Sequence, residues 1–143
     1  MVGIDPNVFG RDMWKTIHLV ALGAPEVFQA SDANAYKTFY TQLAYVIPCE
    51  TCKEHFIEML HDNPIDNSLS GSESLFEWTF RIHNIVNKRL GKKEVATIEE
   101  AKRLTLQSCK NNSSTEKVIL SLFIIVACVA LGYVGYTELS KKR

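Results

Sequence analysis

The sequence predicts an all-α protein: a bundle of four helices with a short fifth helix, followed by a C-terminal transmembrane helix. Apolar residues recur at helical spacing through the first hundred residues. No stretch alternates apolar and polar residues with the period of two that is typical of strands. A run of 19 residues without a charge, 118–136, is close to the roughly 20 residues that cross a hydrocarbon core.

Breaking and capping residues predict where each helix begins and ends. Pro25, Pro48 and Pro64 stop the first three helices, because proline cannot continue a helix. Gly91 is expected just after the end of the fourth helix. The predicted helices span 12–22, 32–47, about 49–60, about 71–90, and a fifth that starts near 98.

Two sequence patterns predict how the fourth and fifth helices are capped. Ser70 followed by Glu73, and Thr97 followed by Glu100, both have the spacing of a capping box. In such a box the hydroxyl and the carboxylate each accept a hydrogen bond from a backbone N–H group of the first turn. We therefore expect the fourth helix to start near Gly71 and the fifth near Ile98.

The chain is expected to divide into a working domain and an anchor. The predicted parts are a helical domain over 1–110, a polar linker over 111–117, the transmembrane helix over 118–136 and a short basic tail over 137–143. A buried core helix is the alternative for the apolar run, but all its faces are apolar and charges bracket it. The N-terminal residues show no basic stretch followed by an apolar run, so no cleaved signal peptide is expected. Basic residues flank the run on both sides, and the domain's side of the membrane is therefore not predicted.

Composition excludes two broad classes of protein. Lys and Arg number 16 and are balanced by 16 Asp and Glu, so the chain lacks the basic field that nucleic-acid binding requires. Four cysteines are too few, and too unevenly spaced, for a small domain held by a disulfide framework. Chemistry at the cysteines is the better interpretation.

The segment Ile47-Pro48-Cys49-Glu50-Thr51-Cys52 carries a Cys-x-x-Cys motif where a helix is predicted to start. At a helix N-terminus the unpaired N–H groups and the helix dipole stabilise a thiolate, the reactive form of cysteine. This position favours redox chemistry at Cys49 and Cys52. Two alternatives remain: an inert structural pair, and a zinc site with His55 and His61, although zinc ligands are usually split between two separated knuckles.

A second group of residues has the features of a nucleotide site. Trp14 and His18 lie four residues apart on one helical face, and so do His83 and Asn87 farther along the chain. Lys88 and Lys92 add cations near the end of the fourth helix. A stacking aromatic ring, hydrogen-bonding side chains and cations are what an adenine dinucleotide requires. Each residue alone is more often a core side chain or part of a solvated face.

Three motifs in order carry a resemblance to a known family. They are Gly10-Arg11-x-x-Trp14-x-x-x-His18, Pro48-Cys49-Glu50-x-Cys52 and Trp78-x-x-x-x-His83-Asn84-x-Val86-Asn87-x-x-Leu90-Gly91-Lys92. Together they resemble the Erv/ALR family of FAD-linked sulfhydryl oxidases from Gly10 to about Arg103. The resemblance implies a bundle of four helices plus a short fifth, noncovalently bound FAD and a homodimer.

The resemblance also implies a role for each matching residue. Cys52 corresponds to the flavin-proximal cysteine, and Cys49 to the cysteine that meets the substrate. The implied activity is oxidation of dithiols to disulfides, with O2 as acceptor and H2O2 as product. The implied FAD-binding residues are Gly10, Arg11, Trp14, His18, His83, Asn84, Val86, Asn87, Lys88, Leu90 and Lys92; no metal is implied.

The sequence departs from the family at three places. Ile47 stands where many relatives carry a tyrosine, so that flavin contact is lost or shifted to Tyr45. The second structural disulfide of the family has no cysteines here, and His61 and residues 74–76 occupy that neighbourhood. The tryptophan of the fifth helix is also missing. These gaps affect individual contacts, and the three motifs still identify the family.

The cysteines outside the motif do not form the relay pair that many relatives carry. Cys109 precedes the linker and Cys128 lies within the apolar run, so a bond between them is not expected. Cys109 is predicted either to be a free thiol or to link two protomers. A separate small dithiol carrier is therefore expected to deliver electrons from the thiol-containing protein substrate, as in the compact forms that large DNA viruses encode.

The apolar run 118–136 predicts a membrane location through a single C-terminal anchor, and the likeness to viral forms predicts that the membrane is that of a virion or of the host endomembrane system. Two other functions compete with the oxidase. One is a membrane-tethered interaction module held by zinc, and the other is a catalytically inactive adaptor of oxidase ancestry. Bound flavin would exclude the first, and turnover with a dithiol would exclude the second.

Overall fold

A computed structural model describes residues 3–107, 119–128 and 130 of the chain. The chain divides into two compact units, Met1–Thr105 and Leu106–Arg143, and the first contains the bundle. Its helices are α1 Pro6–Leu22, α2 Ala30–Val46, α3 Glu50–Asp62 and α4 Ser72–Arg89, with a short 3-10 helix Ile65–Ser68 between α3 and α4. The fifth helix, α5, is described over 98–107. The described residues form helices, turns and loops without a strand, as predicted.

The first helix begins six residues earlier than predicted. The Asp5 side chain accepts a hydrogen bond of 2.8 Å from the N–H of Asn7, and Pro6 occupies the first turn. Both are favourable signals for a helix start, because the carboxylate satisfies an N–H group and proline has no N–H to satisfy. The predicted start at Asp12 is therefore wrong, because the cap at Asp5 and Pro6 extends the helix beyond the apolar-periodic stretch.

One of the two predicted capping boxes forms a cap. The hydroxyl of Thr97 accepts a hydrogen bond of 3.1 Å from the N–H of Glu100, which confirms the start of α5. At α4 the residue before the helix is Gly71, which has no side chain to form a cap. The box at Ser70 is therefore wrong: its hydroxyl pairs with that of Ser74 at 2.7 Å, and Glu73 forms an ion pair with Lys102.

Large aromatic side chains fill the core between the helices. Trp78, Tyr40 and Phe76 are fully buried, and the rings of Tyr40 and Trp78 meet edge to face at 5.3 Å. Their polar atoms are satisfied, because the Tyr40 hydroxyl donates to the carbonyl of Ile17 at 2.8 Å and the Trp78 indole donates to Asn63 at 3.0 Å. These contacts hold α1, α2 and α4 together.

The loop after α1 is fastened to the start of α4 by a close backbone crossing. Phe28 donates to the carbonyl of Ser70 at 3.0 Å, and Ser72 donates to that of Pro25 at 2.9 Å. Between them lies Gly71, where an added Cβ would stand 1.9 Å from the carbonyl oxygen of Glu26. Only glycine leaves room for this crossing.

The predicted transmembrane helix, 118–136, lies only partly within the described residues. Residues 119–128 are helical and exposed, whereas most of the rest of 118–136, the linker 111–117 and the tail lie outside the described part. Within that part, no helix combines the length and apolar character needed to span a membrane. Cys109 is also outside it. The anchor stays a prediction.

Candidate active site

The Cys-x-x-Cys motif forms a disulfide at the start of α3. Cys49 is the capping residue and Cys52 lies in the first turn, with Cα atoms 5.2 Å apart. The N–H of Cys52 donates to the sulfur of Cys49 at 3.2 Å. Both residues are half-buried. The predicted position at a helix N-terminus is confirmed.

The zinc arrangement considered from the sequence is not formed. The two sulfurs are bonded to each other, and the described residues contain no group of three or more His, Cys, Asp or Glu side chains placed to hold a metal. His55 and His61 are exposed, and His61 pairs instead with Asp62 at 3.1 Å.

Three aromatic rings from α1 and α4 form a cluster beside the disulfide helix. Trp14 stacks on His83 with ring centres 4.1 Å apart and planes 4° from parallel. His18 joins them, with its Nε2 2.8 Å from Nδ1 of His83 and its Nδ1 3.0 Å from the hydroxyl of Thr79. The two halves of the predicted nucleotide site, far apart in the sequence, therefore meet.

Phe56 connects this cluster to the disulfide. It lies four residues after Cys52, on the same face of α3, and its ring centre is 6.3 Å from that of Trp14. Phe56 is itself buried. Phe56 is thus placed about one helical turn, roughly 6 Å along the axis, from Cys52, and the ring cluster lies next to Phe56.

Both histidines of the cluster are neutral at physiological pH. Burial lowers the pKa of His18 to about 4. Burial also lowers the pKa of His83 to about 3, with smaller contributions from neighbouring His18 and from the charge of Lys92. A neutral imidazole has one donor and one acceptor nitrogen, so the hydrogen bonds of each ring have a direction.

Two lysines, Lys88 and Lys92, lie at the end of α4 and in the turn that follows it. Gly91 adopts a φ of 63°, the left-handed conformation that glycine tolerates. Lys92 then donates its N–H to the carbonyl of Asn87 at 2.8 Å, and Gly91 to that of Lys88 at 3.1 Å, which is the Schellman pattern. The side chains of Lys88 and Lys92 are exposed, where anionic groups can reach them.

The other residues implied by the resemblance occupy varied positions. Arg11 is exposed and shares a face of α1 with Trp14 and His18, and nothing crowds a Cβ added at Gly10.

Asn84 exchanges two hydrogen bonds, of 2.8 and 3.0 Å, with the backbone of Val95. This pairing holds the segment before α5 against α4. Val86 and Asn87 are half-buried, and Leu90 is exposed. Their contacts with a cofactor stay predictions.

Sequence reasoning missed Phe56 and Thr79. The spacing of four residues between Cys52 and Phe56 is a signal in the sequence that places both on one face of the predicted third helix. Thr79 lies four residues before His83 in a helix, and that spacing places both on one face. Nothing local, however, indicated that α1 would bring His18 to the Thr79 hydroxyl.

Comparison with known proteins agrees with the geometry. The family model described as Erv1 / Alr family matches residues 11–110. A probable FAD-linked sulfhydryl oxidase of Acanthamoeba polyphaga mimivirus is 37% identical over 113 residues, which cover 77% of this chain and 79% of that protein. An FAD-linked sulfhydryl oxidase of African swine fever virus is 34% identical over 109 residues, covering 72% of this chain and 84% of the other.

A solved structure shares the fold. The FAD-binding domain of Erv1 from Saccharomyces cerevisiae superposes with a TM-score of 0.65 at 27% identity. The superposition covers 70% of this chain and 93% of that domain. The helical bundle described above is therefore that of a flavin-binding domain.

Proposed function

Because this chain belongs to the Erv1/Alr family and is an FAD-linked sulfhydryl oxidase, we propose that it makes disulfides in proteins with dioxygen as acceptor and hydrogen peroxide as product. One observation carries the proposal. The Cys49–Cys52 disulfide lies one helical turn from Phe56, which contacts the ring cluster expected to hold the nucleotide.

The ring cluster and the lysines at the end of α4 fit an adenine dinucleotide. Trp14 and His83 present stacked ring faces, and the exposed ammonium groups of Lys88 and Lys92 can pair with a pyrophosphate. The rings are held by hydrogen bonds and burial, so little side-chain entropy is lost when a ligand binds. Trp14, His18, His83 and the two lysines would hold FAD, which when bound would supply a two-electron acceptor for the reduced cysteine pair.

Thiol–disulfide exchange at the cysteines accounts for the substrate half of the reaction. A substrate thiolate attacks the sulfur of Cys49, and the Cys49–Cys52 bond breaks with Cys52 leaving as a thiolate. A second substrate thiolate attacks the substrate sulfur of this mixed disulfide, and Cys49 leaves. The substrate gains a disulfide, and its two electrons remain on the cysteine pair as a dithiol.

The helix start assists both leaving groups. The N–H of Cys52 already donates to the sulfur of Cys49 at 3.2 Å, and the same donor would stabilise the Cys49 thiolate. Cys52, in the first turn, faces the positive end of the helix dipole. Lower thiolate energy raises the fraction of reactive thiolate at neutral pH.

The visible spectrum of the purified full chain tests the proposal. We expect a flavin spectrum that bleaches with anaerobic dithiothreitol and returns in air, with one hydrogen peroxide formed for each disulfide made. A colourless protein would contradict the assignment of the cofactor. A yellow protein that dithiol does not bleach would indicate the inactive adaptor.

Partners and location belong to the proposal as well. The chargeless run 118–136 supports a membrane anchor, in a virion or a host endomembrane, and flotation of the full chain with lipid vesicles tests it.

The family resemblance supports a homodimer, which sedimentation in detergent would measure. The sequence lacks the additional cysteine pair of many relatives, and Cys128 is a free cysteine among the described residues; both support a separate small dithiol carrier.

A further inference from the structure

A row of hydrogen-bonding groups connects the backbone of α4 to the exposed edge of the cluster. The hydroxyl oxygen of Thr79 lies 2.8 Å from the carbonyl oxygen of Phe76 and 3.0 Å from Nδ1 of His18. Nε2 of His18 lies 2.8 Å from Nδ1 of His83. The row starts on α4, crosses to α1 and returns to α4.

The protons in this row can be assigned from donor and acceptor chemistry. The carbonyl of Phe76 can only accept, so the single proton of the Thr79 hydroxyl points to it. The hydroxyl oxygen must then accept from His18, which places a proton on Nδ1. A neutral His18 consequently has a lone pair on Nε2, which accepts from Nδ1–H of His83. Nε2 of His83 is left without a proton.

We propose that Thr79 is a positioning residue that fixes the tautomers of His18 and His83, so that His83 offers Nε2 as a hydrogen-bond acceptor to an O–H or N–H group of the bound nucleotide. The part that concerns the nucleotide rests on the proposed function. The tautomers themselves do not, because they follow from contacts within the chain.

The surroundings of His18 and His83 keep both rings neutral, so that one arrangement of protons holds at neutral pH. A second proton on either ring would change which nitrogen donates and which accepts. Burial holds the pKa values of His18 and His83 at about 4 and about 3, and the nearby charge of Lys92 opposes protonation of His83 further. Trp14, stacked on His83 at 4.1 Å, holds that ring in its plane.

Two substitutions at Thr79 distinguish the contribution of its hydroxyl from that of its side-chain volume. Thr79→Val keeps the shape and removes the acceptor, so Nδ1–H of His18 would face a methyl group. An unpaired buried donor is costly, and His18 is expected to move its proton to Nε2. His83 then accepts at Nδ1 and carries its own proton on Nε2, which turns the acceptor into a donor. Thr79→Ser keeps the hydroxyl and is the matched control.

Nitrogen NMR of the full chain labelled at histidine tests the tautomers directly. The chain has four histidines, and the exposed His55 and His61 serve as internal references. We expect protons on Nδ1 of both His18 and His83 in the wild type and in Thr79→Ser, and on Nε2 of both in Thr79→Val. A wild-type His18 protonated on Nε2, or an unchanged pattern in Thr79→Val, would overturn the proposal.

Binding of FAD provides the second readout. We expect Thr79→Val to weaken the Kd for FAD about tenfold, the effect of one lost hydrogen bond, and Thr79→Ser to change it less than about twofold. Equal affinity in all three proteins would contradict the role in nucleotide binding. A wild type that binds no FAD but shows the expected tautomers would defeat the proposed function and leave the role of Thr79 in fixing the tautomers standing.

Discussion

The disulfide at the start of α3 and the ring cluster between α1 and α4 are built in opposite ways. The disulfide joins residues three positions apart and is half-exposed, and its helix N-terminus is set by Pro48 and Cys49. The cluster depends on hydrogen bonds between residues 61 and 65 positions apart and is mostly buried. The proposed reactive bond is local, whereas the proposed cofactor site requires the assembled bundle.

Removing either cysteine should have the largest effect, and it should be confined to chemistry. Cys49→Ser and Cys52→Ser are expected to lower dithiol oxidation by about three orders of magnitude or more, because neither variant can form the disulfide. Flavin content and unfolding midpoint should stay near those of the wild type, since the cluster does not depend on the bond. Loss of flavin in either variant would break the contrast between the two regions.

Removing the stacking ring should affect the other region. Trp14→Ala is expected to lower the free energy of unfolding by about 2 kcal/mol and to weaken FAD binding about tenfold, because the half-buried ring packs on both His83 and Phe56. Flavin fluorescence titration and urea unfolding measure the two effects. Trp14→Phe keeps an aromatic face and should lose less than half as much of each.

Acid should destabilise the cluster before it affects the disulfide. The pKa values of His18 and His83, about 4 and about 3 in the folded chain, lie below the ordinary value near 6.5 of an unfolded chain. Stability is therefore fully present above pH 6.5 and falls as the pH drops toward 4, since the unfolded chain takes up the protons.

Urea unfolding at constant FAD concentration measures this effect. Each histidine is expected to contribute a loss of about 2 kcal/mol between pH 7 and pH 5. The variant with both His55→Gln and His61→Gln should show the same loss, because those side chains are exposed. Unchanged stability over this range would mean that the two cluster histidines are not held neutral by the fold.

The smallest effect concerns a long-range hydrogen bond next to the disulfide. The N–H of Ile4 donates to the carbonyl of Pro48 at 2.8 Å, just before Cys49. Ile4→Pro removes this donor and is expected to cost about 1 kcal/mol in urea unfolding. Ile4→Ala keeps the donor and controls for the lost side chain. Equal losses of unfolding free energy in the two variants would show that this hydrogen bond does not stabilise the fold, and that the disulfide region depends on residues near it in the sequence.

What the sequence could predict follows the same division. Helix α3 and its reactive N-terminus were predictable because proline, the capping residue and the cysteines are neighbours. The meeting of Trp14 with His83 was inferred from residue types and from a family resemblance, whereas their stacking geometry depends on how α1 packs on α4. Asn84 shows the limit of motif reasoning, since its amide pairs with the backbone of Val95, a partner that only the turn after α4 brings near.

The backbone crossing at Gly71 affects how stable the fold is in the presence of thiol substrates. An oxidase works surrounded by thiols, and any structural disulfide is exposed to exchange with them. Here the loop after α1 is tied to α4 by two backbone hydrogen bonds and a close passage of main chain, none of which a thiol can open. Within the described residues the bond between Cys49 and Cys52 is the one disulfide. Substrate thiols can therefore reduce the Cys49–Cys52 bond without weakening these backbone contacts. We expect the melting temperature of this domain to be the same in reducing and in oxidising buffer.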